Sequence, residues 1–77
     1  MNCLGQTIRE IRKIKLKLTQ VEMGQKLGIT QALLSAYEVG KCNMNLDTIL
    51  YIAQRLDLDP MKDIFIPTFA KFGITKK

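Results

Sequence analysis

Seventy-seven residues, 47% of them apolar, suffice for one small domain with a single modest core, and no repeat, low-complexity run or linker divides them. There is no histidine and there are only two cysteines, Cys3 and Cys42, so no metal is expected; no cysteine near an identifiable base, glycine-rich phosphate loop or close acidic pair offers catalysis, and no cofactor is called for. The net charge of +5 is uneven, with seven basic and three acidic groups in residues 1–41, and a basic half is the electrostatic footprint of a phosphate-binding surface.

Leu4, Ile8, Ile11 and Ile14 recur at helical spacing and predict a first helix from about Gly5 to Lys15, with a basic outer face. Thr19 and Glu22 form a capping box, so a second helix starts at Gln20; Leu18 and Met23 supply the hydrophobic staple, Leu27 continues the buried face, and Gly28 closes the helix. Ile29, Thr30 and Leu34 repeat that pattern for a third helix from Gln31. Its inner stripe is Leu34 and Tyr37, with Leu33 at the edge, while Gln31, Ala32, Ser35 and Ala36 share the outer face.

After Gly40, residues 41–45 read as a loop whose backbone and Lys41 can approach phosphates. Asn45 caps a fourth helix with a core stripe of Leu46, Ile49, Leu50, Ala53 and Leu56, widened by Tyr51 and Ile52. Asp59 caps a short fifth helix with Pro60 at its first position and Met61, Ile64 and Phe65 as apolar contacts, and Pro67 is expected to end it. The tail carries Phe69, Phe72 and Ile74; its secondary structure is open, and it either folds back on the monomer or builds a homodimer contact.

Two capped helix starts eleven residues apart, joined by a glycine turn, fit a DNA major groove. A helical hairpin also serves in many small bundles, but its fixed spacing, Gln20 at the first position, the Glu38-x-Gly40 ending and the flanking helices favour DNA. At these residues the sequence resembles the XRE family of phage repressors and Cro proteins. The shared features are Thr19-Gln20, Met23-Gly24 in place of the usual Leu-Ala, Gly28-Ile29-Thr30, Leu34-Ser35, and Glu38 followed by Gly40-Lys41, within a likeness running from about Leu4 to Phe65.

The resemblance implies an all-α, lambda repressor-like bundle of four to five short helices: a helix-turn-helix domain over residues 1–67, with the motif at 19–38, and a short extension at 68–77. It also implies an ion pair between a basic residue late in helix one and Glu38. The apolar register of Ile8 and Ile11 gives Arg12; counting back from Gln20 gives Lys13, because the intervening segment is one residue longer than usual.

The expected function is that of a sequence-specific regulator of double-stranded DNA, a repressor and not an enzyme, with helix three in the major groove of a two-fold operator. Gln31 is the best base reader, since its amide can bond adenine N7 and N6–H₂ together, with Ala32, Ser35 and Ala36 beside it. Thr19, Gln20 and Thr30, at helix N-termini, and Lys41 and Lys17 are assigned to phosphates, and the family pattern suggests that Gln20 also braces Gln31. From Thr30 to Gly40 there is no arginine or lysine, so operator shape and a homodimer through Phe69, Phe72 and Ile74 should share the work. The alternative is a protein-binding regulator of antitoxin or antirepressor type, using Leu33 and the tail, with DNA binding secondary. Two free thiols and an N-terminus without a charged segment and apolar run suggest an intracellular protein that does not span a membrane, and the resemblance suggests bacterial or phage-encoded cytoplasm.

Overall fold

Local capping chemistry sets the helix starts. Thr19 Oγ1 accepts the Glu22 N–H at 3.1 Å while Glu22 Oε1 accepts the Thr19 N–H at 2.8 Å; Thr30 Oγ1 accepts from Leu33 at 3.1 Å and Asn45 Oδ1 from Thr48 at 2.8 Å. The computed structural model describes residues 3–73, and among them there are five α-helices and no strand: α1 (Cys3–Glu10), α2 (Gln20–Leu27), α3 (Gln31–Val39), α4 (Leu46–Arg55) and α5 (Ile66–Phe72). Two of them carry wide π-helical stretches. α1 runs on into Ile11–Lys15, and α5 grows out of Pro60–Phe65.

The core lies where these helices meet. Ile8, Met23, Leu27, Leu34, Ile52 and Ile64 are fully buried, each worth roughly 1.5–3 kcal/mol relative to exposure, with Ile11, Ile49 and Ala53 beside them. α1 packs against both α3 and α5. Its polar side chains mark those two sides: Arg12 reaches α3, whereas Thr7 Oγ1 accepts a 2.8 Å bond from the hydroxyl of buried Thr68 in α5.

Three expectations are corrected. Ile14, placed in the core by simple helical periodicity, is 72% exposed. In the π turn the Leu16 N–H bonds Ile11 O, five residues back, so the inward phase passes from Ile14 to Leu16, which packs on the core. Leu46 and Leu50 are likewise exposed, because α4 presents Ile49, Ile52 and Ala53 to its neighbours and leaves those leucines at the edge of the stripe. Finally, Pro67 does not end a helix but lies in the first turn of α5. The Ile66 N–H bonds Met61 O, five residues back, so the helix is wide just before Pro67 and takes in a residue that has no N–H to donate. The described part of the tail is therefore helical through Phe72, with Lys71 bonded to Glu10 at 2.7 Å.

The Pro60–Phe65 segment is tied down by two carboxylates. Asp59 accepts the N–H groups of Met61 and Lys62, and Asp63 accepts the Asp59 N–H at 2.9 Å and Lys15 Nζ at 3.1 Å. The Asp59 N–H, and after it Lys15, hold the Asp63 carboxyl below its ordinary value of 3.8. A depressed carboxylate contributes stability above its unfolded value and loses it as pH falls through the folded one. The melting temperature of the parent protein should therefore exceed that of Asp63→Asn at neutral pH, and the gap should close as pH falls below 3.8. A gap that does not change with pH would mean that the charge is irrelevant.

Candidate nucleic-acid interface

The interface is built outward from a buried ion pair. Arg12 Nε meets Glu38 Oε2 at 2.7 Å and Nη2 meets Oε1 at 3.1 Å, with side chains only 10% and 2% exposed. Such a fork-to-fork geometry is what lets two charges sit out of water. The third guanidinium nitrogen, Nη1, donates to Leu18 O at 3.0 Å, and Arg12 O accepts the Leu18 N–H at 2.9 Å, so one residue clasps the α1–α2 connection from both directions. Lys13, the other candidate for this pair, is exposed.

From Glu38 the polar chain leads to the surface. Gln20 Nε2 donates to Glu38 Oε1 at 3.0 Å, and Gln31 Nε2 donates to Gln20 Oε1 at 3.4 Å. The first residue of α3 is thus linked through the first residue of α2 to the buried charges. One N–H and the carbonyl oxygen of the exposed Gln31 amide remain for a ligand.

The turn between the helices is close. Gly28 holds φ +72°, a left-handed conformation that suits glycine, and Gly24 is buried against the turn that follows. A Cβ on Gly24 would lie 2.9 Å from Ile29 O, so even alanine would require backbone to shift. The far end of α2 is fastened by α4: Tyr51 OH donates to Leu27 O at 2.8 Å and Arg55 Nε to Lys26 O at 3.1 Å, with the Arg55 guanidinium 5.9 Å from the centre of the Tyr51 ring. No local pattern marks Tyr51 and Arg55 for this task, because their partners are backbone carbonyls more than twenty residues away.

Gln31 and Ala32 are exposed and Ser35 and Ala36 half-buried, on the outer face of α3. Thr19 and Thr30 are exposed at the N-termini of α2 and α3, each holding its helix cap, and Gln20 is half-buried between Glu38 and Gln31. Lys17 and Lys41 are exposed and form no side-chain hydrogen bond or ion pair among the described residues; Lys17 takes φ +56° and the Lys41 N–H bonds Ala36 O. Phe69 and Phe72 lie on α5, 40% and 53% exposed, and Ile74 is outside the described residues. Leu33 is half-buried.

The family model described as helix-turn-helix matches residues 8–61, a span that includes both capped helices, their turn and the buried pair. The chain belongs to the XRE family of helix-turn-helix proteins. Neither the comparison with curated proteins nor that with solved structures gives a match. XRE-family proteins are DNA-binding regulators and in general not enzymes, and this chain is a DNA-binding regulator in that general sense. Among the described residues no helix is long and apolar enough to cross a membrane. Both described cysteines are free, Cys3 buried and Cys42 exposed on the loop after α3.

In this XRE-family chain the buried pair is the structural anchor of the helix-turn-helix motif. Glu38→Ala should lower stability to denaturant by about 3–5 kcal/mol, because Arg12 would remain buried without its partner. Replacing both residues with apolar ones, Arg12→Met and Glu38→Leu, should recover most of that loss. Equal melting of Glu38→Ala and parent would show that the pair does not hold the fold.

Proposed function

We propose that this chain is a sequence-specific transcriptional repressor that acts as a homodimer, with α3 in the major groove of a two-fold operator. The observation that carries this reading is the chain of bonds from Arg12 through Glu38 and Gln20 to Gln31, which orients an exposed amide at the start of α3. A glutamine held in this way loses little freedom on contacting DNA, and its free N–H and oxygen match the N7 and N6–H₂ groups of adenine. Ala32, Ser35 and Ala36 are small enough for close approach of the groove floor, where methyl or hydroxyl contacts add to the reading.

Phosphates on either side are assigned to the N-termini of α2 and α3, at Thr19, Gln20 and Thr30, and to Lys17 and Lys41. The mechanism is occlusion: a dimer seated on two half-sites, their centres about 10–10.5 base pairs apart or a multiple of that, blocks the DNA beneath it. Gln31→Ala should weaken binding to a selected operator by roughly 1–3 kcal/mol while leaving random-sequence binding almost unchanged. Lys41→Ala should weaken both equally and lower the salt slope by about one unit. Gel-shift titrations at several salt concentrations check both, and equal loss on all DNA for Gln31→Ala would remove it as a base reader.

The homodimer contact is assigned to the outer face of α5, where Phe69 and Phe72 keep much of their apolar surface in water beside exposed Ile66. Two-fold burial of such a patch contributes about 25 cal/mol per Å² and doubles the number of base contacts. The double variant Phe69→Asp/Phe72→Asp should sediment as a folded monomer and bind its operator much more weakly. If the parent protein is monomeric both free and on its operator, the dimer assignment is wrong.

A further inference from the structure

We propose that the groove between α1 and α5, with Ile14 at its lip, docks an acidic protein segment through an apolar side chain flanked by carboxylates. The π turn at Ile11–Lys15 directs Ile14 away from the core, and at 72% it is the most exposed large apolar side chain among the described residues. Beside it is a groove of about 240 Å³ with Ile11 and Pro67 in its walls and the Lys15–Asp63 bridge at its edge. A second depression on the other flank of Ile14 is lined by Arg9 and Lys13. An apolar knob between two hollows offers an apolar side chain a place to bury against Ile14.

Charge selects the occupant. Glu10 and Asp63, the two carboxylates of this face, are already paired with Lys71 and Lys15, whereas Arg9 and Lys13 have no ion pair among the described residues. The face therefore presents two uncompensated cations next to Ile14, and a segment carrying carboxylates about a leucine-like side chain satisfies both. The Arg12 side chain, by contrast, leaves α1 toward α3, so this groove lies on the α5 flank and not at the base-reading face. A bound segment would leave Gln31 free, and the same molecule could hold DNA and a protein at once.

The test uses the full chain, isotopically labelled, titrated with a synthetic peptide of glutamate and leucine, then with the same peptide with alanine for leucine, then with duplex DNA. Saturable amide shifts should appear at Thr7, Glu10, Ile11, Ile14 and Asp63 with the leucine peptide, and binding should fall at least tenfold with the alanine peptide. Ile14→Asp, at an exposed position, should melt like the parent, bind random duplex DNA like the parent and lose the peptide at least tenfold; Arg9→Glu/Lys13→Glu should also lose it. Absence of saturable shifts overturns the proposal, and so does equal binding of the alanine peptide, which would be plain charge attraction. It is equally overturned if duplex DNA causes these α1 shifts, or if they arise from protein concentration alone and vanish in Ile14→Asp, which would give the face to a second copy. Shifts that appear only once residues 74–77 are deleted would assign the groove to the chain's own tail and likewise overturn it.

Discussion

The arrangement of the motif depends on a pair of opposite charges held out of water. An isolated buried guanidinium or carboxylate is strongly unfavourable, so each must be surrounded by partners, and those partners come from four places in the chain: α1, the α1–α2 connection, α2 and α3. Satisfying Arg12 and Glu38 therefore specifies how these segments sit together. Apolar burial supplies more of the stability, but Ile8, Met23 and Leu34 would tolerate small rotations that a bidentate ion pair would not. The hydroxyls of Thr7 and Thr68 make a neutral link of the same kind on the other side of α1.

A π turn sets which residues face inward at the end of the first helix. Over Ile11–Lys15 the helix widens into a π turn, which takes in more residues per turn than an α-helix without breaking the helix. Arg12 lies at the start of this wide stretch and faces Glu38. Downstream, the shift turns Ile14 outward and brings Leu16 in. One local irregularity thus creates an exposed apolar side chain.

The outer face of α3 has no charge, which places unusual weight on geometry. In the proposed DNA-bound arrangement, exposed Lys17 and Lys41 and the two helix N-termini attract any DNA alike. Under that proposal, discrimination rests on how accurately a small neutral surface is presented. Gly24 allows the Ile29 carbonyl to approach α2, and Tyr51 and Arg55 hold the carbonyls at the far end of that helix. Under that proposal, rigid presentation substitutes for the number of contacts, since a group already oriented needs little ordering when it binds.

What was legible in the sequence was what short-range chemistry determines. Thr19, Thr30 and Asn45 each place an oxygen within reach of an N–H three residues on, so the starts of α2, α3 and α4 follow from neighbours alone, as does the left-handed close at Gly28. The helix-turn-helix family could be read from the same residues, because its signature is a spacing of caps and turns. Tertiary structure decided whatever depended on partners distant in the chain. The apolar register of Ile8 and Ile11 picked Arg12 over Lys13 as the partner of Glu38, but whether Ile14 is inside or out turned on a π turn that periodicity does not register. Leu46 and Leu50 fit the stripe of α4 as well as Ile52 does, and only docking against α2 and Pro60–Phe65 chose among them. Pro67 reads as a stop in isolation yet sits in the first turn of α5, because α1 offers that helix a surface on which Thr68 can bury its hydroxyl against Thr7. Local hydrogen bonding specifies where helices start; the choice of buried face belongs to the whole chain, because burial is a property of what lies opposite.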